Sequence, residues 1–301
     1  MENNKSFKSG FVSIIGRPNV GKSTLLNSLV GEKIAIMSDK PQTTRNQIKA
    51  IYNDDDHQIV FLDTPGIQKP QNKLGNYMMK VSNSAMKDTD LIMFVADDSK
   101  YIGGKDKAII ESLKDNRTIK ILVINKIDKL KKEELMEIVK MYSDLGVFDE
   151  IVPVSALKGT NNNTLINVLT KYLPYGPMYF PADMITDQPE KVLISEIIRE
   201  KLLKYTEQEI PHGIAVDIES FKKRKDKDIV DIEAIIYCER EAHKKIIIGK
   251  DGRKIKGIGK SSREELEMML GSKVNLQLWV KVKDNWRDKE NFIKSFGYND
   301  K

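Results

Sequence analysis

The chain has a single cysteine, Cys238 in the apolar run Ala234 to Cys238, which excludes an internal disulfide and a cysteine-held metal cluster and leaves a small buried core residue as the expectation. Long hydrophobic runs are also missing. None approaches the roughly 18 apolar residues of a membrane span, and Met1 to Gly10 is polar where a secretory signal is apolar, so a cytoplasmic location is expected. An overall excess of one charge is nearly absent too, at +6 over 301 residues. What is present is enough apolar content, 40%, to build two cores at this length.

The richest segment is Gly16-Arg17-Pro18-Asn19-Val20-Gly21-Lys22-Ser23, set between the apolar run Phe11 to Ile15 and a helix-forming stretch from Thr24. Glycines at both ends let consecutive N–H groups face phosphates, Lys22 reaches the outer phosphates, and Ser23 offers a hydroxyl to magnesium. The positive end of the following helix adds to the site. A nucleoside triphosphate is the implied ligand. Asn125-Lys126-Ile127-Asp128, after the apolar strand Ile119 to Ile124, selects the base. The N1–H and amino group of guanine lie side by side, so Asp128 accepts both, a contact worth roughly 1–3 kcal/mol of discrimination against adenine. Asn125 braces the phosphate loop and the stem of Lys126 lies along the base. The ligand is therefore read as GTP or GDP with Mg2+.

Two segments complete this constellation. The apolar strand Gln58 to Leu62 ends in Asp63-Thr64-Pro65-Gly66, where Asp63 holds the magnesium through a water and the Gly66 N–H senses the third phosphate. Upstream, Pro41-Gln42-Thr43-Thr44-Arg45 offers threonine hydroxyls to the metal; Thr43 and Thr44 are both candidates, with Thr44 preferred. Ser155-Ala156-Leu157, after the strand Ile151 to Val154, fits the loop whose backbone caps guanine O6. Lys22, Asn19, Thr44 and Gly66 carry the catalytic expectation. In this order and spacing the motifs resemble bacterial GTPases of the translation-factor-related branch.

One residue departs from the familiar pattern. A glutamine after the glycine of DxxG orients the attacking water in many GTPases, but Ile67 stands there and cannot hydrogen-bond; Gln68 is adjacent. In related GTPases with a hydrophobic residue at this position the phosphate-loop asparagine coordinates potassium. Asn19 matches it, and its alternative role, satisfying loop backbone groups, stays open.

Apolar runs at 11–15, 58–62, 91–96, 119–124 and 151–154 alternate with helical segments such as Lys105 to Lys114 and Lys131 to Leu145. That alternation predicts an α/β domain over 1–175 with a mainly parallel sheet. Four prolines and three aromatics mark 176–189 and its edges as a semi-rigid linker. From 190 an amphipathic helix (Val192, Ile194, Ile197, Ile198, Lys201, Leu202, Tyr205) leads to strands at Ile214 to Phe221 and Ile229 to Tyr237. Then come a helix, Gly249-Lys250-Asp251-Gly252, a second helix and a strand at Val274 to Val282. The order resembles a smaller α+β KH domain of the bacterial topology (type II), over 190–283, with a helical tail at 284–301.

Charge sharpens this second reading. Arg240 to Arg263 holds nine basic residues against two acidic ones, so nearly all the positive excess of the chain is local. Gly249, Lys250, Asp251, Gly252, Arg253, Lys254, Lys256 and Lys260 are the expected RNA contacts, since paired glycines let a single strand approach the backbone closely. A GTPase with PQTTR, DTPG, Ile67 and a carboxy-terminal KH domain resembles the Era family of ribosome-assembly GTPases over almost the full length. The resemblance implies a GTP-hydrolysing switch, binding of 16S rRNA near its 3′ end, action on the 30S subunit, peripheral inner-membrane association and a monomer. Two other classes are weaker: a GTP-dependent kinase or ligase lacks a second small-molecule site, and a membrane scaffold rests on the basic run alone.

Overall fold

A computed structural model describes residues 7–40, 42–67, 69–87, 89–207 and 210–298. The described residues divide into two compact units. The first takes in Met1–Ala35, Thr44–Lys69 and Met78–Asp187, the second Ile36–Thr43, Pro70–Tyr77 and Gln188–Lys301.

The first unit contains β1 (Lys8–Ile15), α1 (Lys22–Val30), β2 (Ile48–Asn53), β3 (His57–Asp63), α2 (Lys73–Ala85, its first turn counted in the second unit), β4 (Leu91–Ala96), α3 (Gly104–Leu113), β5 (Ile119–Ile124), α4 (Lys132–Ser143), β6 (Glu150–Pro153) and α5 (Asn162–Tyr172). The sheet order is β2-β3-β1-β4-β5-β6, parallel throughout except for β2 on β3. Both faces are buried, which is why the strands read as continuous apolar runs. Val12, Ile14, Met93, Val95, Ile121 and Val123 face one core with α1 and α5. Ile15, Ile92, Phe94, Leu122 and Ile124 face another with α3 and α4. From β1 the chain runs outward to one side and then returns to the other, so the carboxyl end of β1 is a switch point where ligands of such sheets bind.

Several boundaries differ from the sequence reading. Helix α1 starts at Lys22 rather than Thr24, and β2, a short mixed run, was not anticipated. The segment expected as a linker is instead laid along the first unit up to Asp187. Ile51 N–H donates to Ile185 O at 2.9 Å, Gln58 binds the backbones of Tyr179 and Phe180, and the Tyr179 ring packs 4.8 Å from that of Phe11. The physical reason is that the edge strand β2 and the buried amide of Gln58 need partners, and this segment supplies them.

The second unit contains α6 (Glu190–Tyr205), β7 (Ala215–Lys223), β8 (Ile229–Cys238), α7 (Glu241–Ile248), α8 (Arg253–Leu270), β9 (Lys273–Val282) and α9 (Glu290–Ser295). Its sheet has the order β7-β8-β9, antiparallel then parallel. Ile194, Ile198, Leu202, Ile232, Ile236, Ile258 and Leu266 form one core, and Cys238 is buried within it as expected. The tail packs onto this unit. Trp286 is fully buried and donates to Gly213 O at 2.9 Å, while Arg287 grips Glu239 through two hydrogen bonds. Two short segments from the first half of the sequence lie in this unit as well. Arg199 donates to Thr43 O, Met37 N–H to Glu200, and Lys73 pairs with Glu290 at 2.9 Å.

Candidate functional site

The loops after β1, β3, β4, β5 and β6 all open at the carboxyl edge of the first sheet, so every nucleotide motif read from the sequence arrives at one edge. Gly21 has φ +98°, and a Cβ there would lie 2.4 Å from Asn125 Nδ2, so only glycine permits this approach. Asn125 uses it. Its Nδ2 donates to Val20 O at 2.9 Å, and its Oδ1 accepts from Lys126 N and Ala156 N. The Ala156 amide, one backbone group of the loop expected to cap guanine O6, is thus engaged by Asn125. Lys126 Nζ donates to Asn19 O at 2.8 Å, and Ser155 Oγ donates to Asp128 Oδ1 at 2.5 Å. That hydrogen bond holds the Asp128 carboxyl below its ordinary range, keeping it a pure acceptor for a base edge. Ile127 is anchored by its amide to Val154 O, and Leu157 is largely exposed.

Lys22 is buried, and its ammonium arches over the loop to Gly16 O at 3.0 Å and Arg17 O at 3.1 Å. Burial pushes it down to about 8, against the pull of Asp63. Ser23 Oγ and Thr44 Oγ1 lie 3.1 Å apart and both donate to Asp63 Oδ2, at 2.9 and 3.3 Å. Asp63 Oδ1 is buried with no hydrogen-bond partner, and burial raises this carboxyl above its ordinary value. A set of hydroxyl and carboxylate oxygens with one orphaned buried acceptor suits a hard divalent cation such as Mg2+. Thr43 is not in this set. Its hydroxyl donates to Lys40 O at 2.6 Å instead.

The DTPG segment is tied to the phosphate loop. Thr64 Oγ1 donates to Ile14 O, Pro65 O accepts from Ser82 Oγ, Gly66 lies against Pro18, and Ile67 N donates to Gly16 O at 3.3 Å. Ile67 itself packs on the core that holds Ile15 and Phe94, which accounts for an apolar residue there. Pro41 and Gln68 lie outside the described residues. Sequence reasoning did not find Asp97, Ser99 and Asp106, which hold the Arg17 side chain; the available signal was an acidic residue one position past an apolar strand at the ligand-binding edge.

In the second unit the Gly249–Gly252 loop joins α7 to α8, with Gly252 in the left-handed region at φ +71° and nothing but Ile255 near its missing Cβ. Asp251 pairs with Arg253 at 3.3 Å on the exposed surface, which offsets the negative charge in the loop. A groove of about 380 Å³ runs between α8 and β9. Lys256, Lys260 and Arg263 line one wall, and Val274, Asn275, Leu276 and Leu278 the other. An apolar floor beside a basic wall takes bases and phosphates of a single strand. Lys250 and Arg253 are exposed at the loop beside it, whereas Lys254 backs onto Gly249 and does not line the groove.

Comparison with known proteins agrees with both halves. Residues 11–126 match the 50S ribosome-binding GTPase family and residues 209–287 the KH domain family. The chain is 66% identical to GTPase Era of Clostridioides difficile over 98% of its own length and 100% of that protein, and 58% identical to GTPase Era of Alkaliphilus metalliredigens over 97% and 99%. Among solved structures it resembles Era in complex with MgGDPNP and nucleotides 1506–1542 of 16S ribosomal RNA (TM-score 0.93, 42% identity, 97% and 99% covered). An Aquifex aeolicus Era bound to GDP.AlF4- gives the same TM-score of 0.93 and 42% identity. The chain belongs to the Era family of GTPases, with a P-loop GTPase domain followed by a KH domain.

Proposed function

We propose that this chain binds GTP with Mg2+ and couples its hydrolysis to a grip on single-stranded RNA near the 3′ end of 16S rRNA, in assembly of the 30S subunit. The observation that carries the reading is the buried Asp63 carboxylate, which draws Ser23 and Thr44 onto one oxygen and leaves the other for a cation. Ser23, Thr44 and Asp63 would hold Mg2+, which when bound supplies positive charge to the β- and γ-phosphates. Lys22 neutralises the outer phosphates, the Gly66 amide senses the third, and Asp128 with Lys126 selects guanine. With Ile67 committed to the core, charge beside the reacting phosphate falls to Asn19 with potassium.

Thr43 is held by Arg199 in the second unit while Thr44, the next residue, belongs to the metal set. A γ-phosphate that orders Thr44 therefore pulls on a segment anchored among KH-domain elements, so the nucleotide state alters how RNA is held. Action on 30S particles as a monomer, with peripheral inner-membrane association, completes the reading; co-sedimentation with 30S particles and with anionic vesicles tests those two contacts. The central experiment titrates a 16S rRNA 3′-end fragment into the protein held with a non-hydrolysable GTP analogue and with GDP. Unequal RNA affinity is expected, since a switch acts only through different affinities of its two states. Equal affinities would leave a GTPase and an RNA binder on one chain without coupling.

A further inference from the structure

Asp97, the residue that follows β4, sits where the phosphate loop and the base-reading loop meet. Its Oδ1 accepts from the Arg17 guanidinium and from Ser99 Oγ at 2.6 Å and Ser99 N at 3.2 Å, and its Oδ2 lies 3.4 Å from Lys126 Nζ. Arg17 Nη2 also donates to Ser99 Oγ at 2.9 Å, and the guanidinium is gripped from a second side by Asp106, which accepts from Nε at 3.0 Å. The same Lys126 ammonium also donates to Asn19 O. Asp97 and Asp106 are 8% and 2% exposed, so two cations and two carboxylates form a neutral, half-desolvated cluster in which losing one partner strands the others. Burial works against charge at Asp97, yet Ser99, Arg17 and Lys126 keep its carboxyl below the ordinary value.

Arg17 belongs to the phosphate loop and Lys126 to the guanine motif, and they lie 109 positions apart in sequence. We propose that Asp97 is a positioning residue for nucleotide binding: by holding Arg17 and Lys126 on one carboxylate, it keeps the phosphate loop and the base-reading lysine in register. On this geometry Arg17 acts as a strap on the loop, and its guanidinium is committed to Asp97 and Asp106. The proposal rests on the nucleotide reading above and adds to it a residue outside the nucleotide motifs.

The test is a mutant cycle read as GDP affinity of the full chain by calorimetry. Asp97→Asn keeps the shape but removes the charge, and is expected to weaken GDP binding about tenfold. In a chain that already carries Arg17→Gln and Lys126→Met, the same change is expected to cost less than about twofold, because its two partners are gone. Ser99→Ala, which removes only a brace, gives a smaller loss of about threefold that also vanishes in that background, and it serves if Asp97→Asn folds poorly. Equal losses in both backgrounds would mean that Asp97 merely holds the fold, and no loss in either would also overturn the proposal. Failure of the unsubstituted chain to bind GDP would sink the nucleotide reading together with it.

Discussion

Burial inside the phosphate loop pushes the Lys22 ammonium down to about 8, because desolvation disfavours its charge more than Asp63 restores it. Bound phosphates favour the charged form and raise that value, so above pH 8 nucleotide binding must take up a proton. Affinity for GDP is therefore expected to be flat in this group below pH 8 and to fall as pH rises above it, approaching about tenfold per unit. A titration that stays flat up to about pH 9.5 would show that Lys22 keeps its proton without the ligand. Ile67 cannot orient water and is packed into a core, so hydrolysis is expected to run faster in potassium than in sodium. Asn19→Ala should abolish that difference while GDP binding persists. Equal rates in both salts would assign the missing charge to a partner or to backbone dipoles. The residue types at both positions were legible from the motif, since the loop dictates its own geometry within eight residues. The choice of Thr44 over Thr43 became geometric only with the fold, where Asp63 lies across the sheet edge.

Helix α8 and strand β9 enclose the groove at which single-stranded RNA is expected, and their basic residues are expected to contribute unequally. Lys256 and Lys260 line it, four residues apart on one helix face, whereas Lys254, whose Cβ lies against Gly249, does not. Phosphate contacts release counterions, so replacing Lys256 or Lys260 with alanine should flatten the log-log salt dependence of RNA affinity by roughly 0.7. Lys254→Ala should leave the slope unchanged. A slope that changes equally for all three would put the RNA on the loop rather than in the groove. From sequence, the basic run announced a nucleic-acid surface and the loop position favoured Lys250 and Arg253, but nothing separated Lys256 and Lys260 from Lys254. Helical spacing assigns faces, while only the packing of β9 against α8 decides which face becomes a wall. The expected linker shows the same limit for backbone. Its prolines and aromatics speak of stiffness, yet the segment is fixed by Ile51 and by Gln58, residues more than 100 positions earlier.

At the scale of the whole molecule, helix α6 shows most clearly what a linear pattern omits. Its apolar positions predict one buried face, and Ile194, Ile197, Ile198 and Leu202 are buried. Arg199, Glu200 and Lys201 are buried as well. Arg199 and Glu200 hold the backbone of Ile36–Thr43, and Lys201 pairs with Glu265 on α8. Arg199 and Glu200, on the side that periodicity reads as solvated, are therefore an internal support for the segment that precedes Thr44, whereas Lys201 falls on the face already expected to be buried. The nucleotide class, the base, the alternation that makes a parallel sheet and the KH order were legible in the linear chain, because each depends on local backbone rules and residue type over a short span. Only the closed fold brings Asp97 to two loops, joins Thr44 to Ser23 and Asp63, puts Lys256 and Lys260 in one groove, and buries Arg199 and Glu200 of α6. Those outcomes depend on which distant residues meet once the chain closes, and on the demand that every buried polar group find a partner there.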